Sequence, residues 1–190
     1  MPRYSAGLKM LGIDRDRTAR GALAGAAAAA LWAAQQPLDK RVFGSGYDDV
    51  ELLGKAVTRG PAAYPVGAAL HLFNGALFGA IYANAAPLVP LPSWSRGPVA
   101  ALAENFWLWP LGRVSDRFHP ARDELPKLTG NRRALAQATW RHLLFGVTLG
   151  ELERRLNPPA DEPASAYEDY VSSNGHRDLE EVVSAAGRQV

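Results

Sequence analysis

Ionisable and strongly polar side chains interrupt stretches that are otherwise apolar: His71, Asn74, Glu104, Asn105, Arg141 and His142. In hydrocarbon each of these is costly unless it meets water or another protein group, so they are expected to turn inward and satisfy one another. His71, Asn74, Glu104, Arg141 and His142 form the candidate intramembrane polar site. Two kinds of chemistry are open to it. One is structural: a Glu–Arg pair and His–Asn hydrogen bonds that set the register of a bundle, with Arg141 snorkelling toward an interface. The other is a proton-accessible or ligand-binding site, as in a cofactor-binding or proton/solute transport protein. Its sharpest form is a haem held between His71 and His142, because paired imidazoles on facing helices can supply both axial ligands.

Catalytic signatures are lacking. The chain has no Gly-rich phosphate loop, no HExxH and no GxSxG, so no catalytic residue is assigned and no enzymatic activity is expected. Asp116, His119, Asp123 and Glu124 could suggest a metal site, but such a set in a charged connector reads as a solvated face, and no metal ligand is assigned. There is no cysteine, which removes disulfides, thiolate metal sites and a thiol nucleophile. The 21 Lys and Arg against 19 Asp and Glu leave a net charge of +2, spread without a stripe or a nucleic-acid module, so nucleic acid is not expected as a partner.

The elements that must position these groups are read from apolar blocks and helix breakers. Tyr64 to Asn84 lies inside residues 60 to 95, where no charged side chain occurs. At 1.5 Å per residue, about 20 apolar residues cross a bilayer core of about 30 Å, and this stretch is of that length. It is expected to be the centre of the bundle. Gly21 to Leu38 is uncharged and Ala-rich, and Pro37 is expected to end or kink that helix near Gln36. The basic run before it also resembles a signal peptide, against which the later apolar blocks of the same kind argue. A third helix is expected to open at Pro98 and kink at Pro110, and a fourth to run from about Arg133 until Asn157, Pro158 and Pro159 stop it. The expected fold is all-α: an up-and-down four-helix transmembrane bundle with helices near 19–37, 64–86, 98–114 and 133–156. The expected divisions are 1–18 as a juxtamembrane segment, 19–157 as the membrane domain and 158–190 as a polar, disordered acidic tail.

This layout places His71 and His142 at similar depth on parallel helices, with Glu104 about 10 Å nearer the opposite face. Glycines four apart occur as Gly21 and Gly25, Gly75 and Gly79, and Gly146 and Gly150, with Gly97 and Ala101 as a weaker version. Such pairs let a second backbone approach, within the bundle or at a dimer face.

The blocks GALAGAAAAAL, HLFNGALFGAIY, GPVAALAENFWLWPLG and RHLLFGVTLGELERRL together resemble the YagU-like family of small bacterial inner-membrane proteins. The matching features are His71, Gly79 and Tyr82, then Pro110 with Gly112, then His142 with Glu151, Arg154 and Arg155, across roughly residues 20 to 157. The resemblance implies location and architecture more than activity: a small multi-pass protein of the cytoplasmic membrane. Its expected partners are the lipid bilayer and a second copy or another membrane protein.

The mean hydropathy of −0.15 averages apolar blocks against polar ends, and a soluble helical bundle burying the same faces is the further alternative. Basic residues near the spans are almost evenly divided between the two sides. Arg15, Arg17 and Arg20 directly before the first helix favour cytoplasmic termini.

Overall fold

The computed structural model describes residues 14–158, and among them every regular element is helical. The sequence expectations for residues 1–13 and for the acidic tail lie outside the described residues. The long helices are α1 (Arg15–Phe43), α3 (Ala63–Ala85), α4 (Ser93–Leu108) and α6 (Arg132–Leu156), with shorter α2 (Asp49–Val57) and α5 (Gly112–Phe118). A 3-10 turn follows α3 at Ala86–Leu88 and another, Trp109–Leu111, separates α4 from α5.

Local chemistry sets the boundaries. The Asp14 carboxylate caps α1 by accepting from the backbone N–H of Asp16 at 2.8 Å and of Arg17 at 3.0 Å, so the helix begins four residues before the expected 19. Its far end closes on Gly44 in the left-handed region at φ 57°. Pro37 does not end α1, as the sequence suggested; the helix continues six residues beyond it. The lost backbone bond is offset because the next turn delivers Asp39 to a buried ion pair with Arg141. Asn131 caps α6 through Ala134 N–H at 3.0 Å. The third helix starts at Ser93, not at Pro98, immediately after the proline-rich segment ends at Pro92. Near Pro110 the α-helix gives way to the 3-10 turn and restarts at Gly112.

Glycine contacts join the long helices in antiparallel pairs. On α1, Gly21 and Gly25 lie on Gly79 and Gly75 of α3, where a Cβ on Gly25 would overlap the Gly75 carbonyl. On α4, Gly97 lies against Gly146 and Gly150 of α6, and Ala101 packs beside Gly146. Gly54 of α2 and Gly67 of α3 meet in the same manner. All six glycines singled out in the sequence are thus used inside the chain, which leaves none of these pairs for a dimer face. The remaining large interface joins α1 to α6, with Trp32 and Phe145 in its core. The central pair is therefore α1 and α6. α3 sits outside α1, which corrects the expectation that Tyr64 to Asn84 is the centre: its two flanking partners, α1 and α2, both lie on its glycine face.

At the end where α1 begins, Arg17 donates from Nε to Ala83 O and from Nη2 to Glu153 Oε1, each at 2.6 Å, tying α1, α3 and α6 together. Arg20 donates to Asn157 Oδ1 at 2.7 Å. At the opposite end Lys55 and Arg59 bind Glu124, and His119 donates from Nε2 to Leu52 O at 3.0 Å while its Nδ1 accepts from Ala121 N–H. Asp116 accepts from the backbone N–H groups of Leu128 and Thr129, both at 2.8 Å. The charged connector is thus folded onto α2, and Asp116, Glu124 and His119 are committed to separate local bonds while Asp123 stays exposed.

By length and composition, one helical stretch among the described residues, Ala63–Leu88, could cross a membrane. α1 is diluted by alanine and α6 carries charges at several positions, so neither reaches the same apolarity.

Candidate functional site

Every third or fourth residue of α6 from Ala134 to Glu153 points inward, and that face holds Gln137, Arg141, Phe145 and Leu149. The matching face of α1 carries Ala28, Ala29, Trp32, Gln36 and Asp39. Where the two faces meet, Arg141 is fully buried, at 0% exposure, and makes a fork to Asp39: Nε to Oδ2 and Nη2 to Oδ1, both 2.6 Å. Nη1 donates to Asp49 Oδ2 at 2.6 Å, and Nη2 also reaches Tyr47 O at 3.2 Å. The guanidinium lies 5.6 Å from the Tyr47 ring centroid. Gln137 donates to Asp39 Oδ1 at 2.6 Å, and Gln35 to Asp39 Oδ2 at 2.5 Å. Trp32 Nε1 donates to Asp49 Oδ2 at 3.1 Å.

This overturns the structural expectation for Arg141. It does not snorkel and it does not pair with Glu104; its partners are Asp39 and Asp49. Two carboxylates share one guanidinium, so the cluster keeps an excess negative charge. A pair this enclosed contributes chiefly through the cost of breaking it, because removing one partner strands the other away from water.

Below the cluster lies a cavity of about 320 Å³. It gathers His71 and Asn74 from α3, Glu104 and Asn105 from α4, and His142 from α6, with Asp49 and Tyr47 at its upper wall. Four of the five candidate site residues therefore share one space; Arg141 stands outside it, behind Asp49. The walls between the polar groups are apolar and aromatic, including Trp32, Phe78, Leu108 and Phe145. His71 and His142 both touch the Trp32 indole edge to face, with centroids 5.2 and 4.6 Å away. Glu104 stands at their level and not about 10 Å away. α4 begins five residues earlier than expected, which at 1.5 Å per residue moves Glu104 along the bundle by roughly 7–8 Å.

The expected His–Asn bonds are replaced by bonds to carbonyls. His71 Nε2 donates to Ala29 O at 3.2 Å, and His142 Nδ1 to Ala138 O at 2.8 Å. Each neutral imidazole then presents its second nitrogen as an acceptor. Asn105 donates to Thr139 Oγ1 at 3.2 Å, linking α4 to α6. Glu104 makes no hydrogen bond or ion pair among the described residues.

A haem held between the two histidines would have to share their surroundings with Trp32. The Trp32 indole packs edge to face on both rings, while the bonds of His71 Nε2 and His142 Nδ1 to backbone carbonyls leave the second nitrogen of each ring free. Among the described residues no group of three or more His, Cys, Asp or Glu side chains could hold a metal ion.

Asp39, Asp49, Trp32, Tyr47 and Gln137 were not among the residues picked from the sequence. A signal for some of them exists: Gln137 and Arg141 share the helical spacing of Phe145 and Leu149, and Trp32, Gln36 and Asp39 share one face once the helix is carried through Pro37. Comparison with protein-family models, curated proteins and solved structures finds no match to this chain.

Proposed function

We propose that this chain is a small integral protein of the bacterial cytoplasmic membrane, akin to the YagU-like proteins it resembles. It crosses the bilayer four times through α1, α3, α4 and α6 with cytoplasmic termini. It acts without catalysis, as a structural or interaction component built around a polar core. The observation that carries this reading is an inverted distribution of side chains. Arg141, Gln137 and Asp39 are among the most buried residues, whereas Trp107 is 84% exposed, Trp94 78% and Phe73 63%. In water such a surface is unfavourable, and an outward apolar belt of this extent marks contact with lipid or with another protein. In lipid the same arrangement is favourable, since small residues join the helices and ionisable groups turn inward.

Extraction tests it. In bacterial cells expressing the full chain, the protein should remain in the membrane pellet through an alkaline carbonate wash and be released only by detergent. Release into the wash would overturn membrane integration. A second reading, a soluble bundle, is favoured because only one stretch among the described residues meets the length and apolarity of a span. It requires a protein partner over the exposed aromatics, and the same wash separates the two.

A further inference from the structure

We infer that the cavity between α3 and α4 is a binding site for a lipophilic cation, an amphiphile whose protonated nitrogen sits on Glu104 and whose apolar part runs along Phe78 and Leu108. α3 and α4 are consecutive long helices, yet they share none of the main interfaces of the bundle. The cavity lies where they part, and its rim residues Asn74 and Leu108 are exposed. Its volume of about 320 Å³ falls at the lower end of the range of small-molecule sites, about 300–1,000 Å³.

The charge of the ligand follows from what lines the space. Two carboxylates, Glu104 and Asp49, face it, and no lysine or arginine does. Arg141 lies behind Asp49 and is already shared between two aspartates. Glu104 has no partner, and a carboxylate held among apolar walls is costly unless a cation or a donor accompanies it. His71 and His142 each spend one ring N–H on a backbone carbonyl, so the second nitrogen of each neutral ring is an acceptor. An ammonium group would meet a carboxylate and nearby acceptors in a site of low polarity, where charge-assisted hydrogen bonds are strongest. An anion would be repelled, and a neutral chain would gain only from apolar contact. Lateral entry of the ligand between α3 and α4 rests on the bilayer reading above; the preference for a cation does not.

The test uses the full chain extracted from membranes and purified in a maltoside detergent. Dodecylamine, dodecanol and dodecyl phosphate, which share one tail, are titrated while the unfolding midpoint is followed. A photoreactive dodecylamine is then used to map the contacts. The amine should stabilise with a half-saturation at least tenfold lower than the alcohol, the phosphate should not stabilise, and label should fall on Phe78, Leu108 or Phe145. Glu104→Gln should reduce the amine to the level of the alcohol, while Glu151→Gln on the exposed end of α6 should leave it unchanged. Equal effects of amine and alcohol, a preference for the phosphate, or label outside the cavity would each overturn the proposal. These outcomes are read on the unaltered chain even if Glu104→Gln fails to fold. Should the chain prove soluble, so that the bilayer reading fails, the same comparison in buffer with shorter-chain homologues still decides the charge preference.

Discussion

Arg141 and its two aspartates are the costliest group of side chains to disturb. Replacing Arg141 by methionine leaves the buried Asp39 and the partly buried Asp49 without their cation, and a loss of about 3–5 kcal/mol is expected from breaking a buried pair in this way. Chemical or thermal unfolding of the variant in detergent checks this, and a change below about 1 kcal/mol would show that water reaches the cluster. Trp32 sets a different limit. Because its indole packs on both His71 and His142, haemin added to the purified chain should give no low-spin bis-histidine Soret band. Such a band in the unaltered protein would mean that Trp32 moves aside.

The helices are joined where side chains are smallest, so larger residues there act on whole elements. A Cβ on Gly25 would overlap the Gly75 carbonyl, and one on Gly97 the Gly146 carbonyl, with backbone and not a flexible side chain in the way. Gly25→Ile should therefore push α1 from α3, and Gly97→Ile should part α4 from α6, each costing at least the 1–3 kcal/mol typical of overpacking. Gly46→Ala is the matched control, since nothing lies within 4 Å of a Cβ there. Unfolding midpoints that ranked Gly46→Ala with the other two would refute the glycine contacts. The connector after α5 is held more loosely. Hydrogen bonds from Arg59 and then Lys55 keep the Glu124 carboxyl below its usual value. The contribution of these ion pairs is fully present above the ordinary Glu pKa of about 4.3 and is lost as pH falls through the lowered folded value. Hydrogen exchange of the 119–131 segment should stay constant from neutral pH down to about 5, after correction for intrinsic rates, and rise only in more acid solution. A rise centred near neutrality would point to another group.

Across the whole molecule, the inverted distribution of side chains has a consequence for topology. Four long helices running up and down place both ends of the described bundle on one side, the side where Arg17 and Glu153 meet. Reporter fusions after Val190 and within residues 44–48 should therefore give opposite signals, with the first cytoplasmic. Equal signals from the two sites would remove the four-span arrangement, and a reversed pair would invert only its orientation.

Much of this was legible in the chain itself. Apolar blocks and prolines marked α3 and α6 to within one residue at each end and α1 and α4 only to within four to six, and glycines at spacing four marked the surfaces where backbones meet, because both depend on local periodicity. Helical spacing also placed His71 and His142 at one level. What only the tertiary structure decided is which polar groups meet. Pro37 suggested a helix end, yet a distant arginine stabilises the turn beyond it and brings Asp39 inside. Arg141 was matched with the wrong carboxylate because Asp39 and Asp49 lie beyond Pro37, in what the sequence suggested was a connector, whereas the helix runs on to Phe43 and a further helix opens at Asp49. Pairing between ionisable groups depends on helix rotation and offset across residues about a hundred apart in sequence, as for Asp39 and Arg141, and no local pattern encodes that distance.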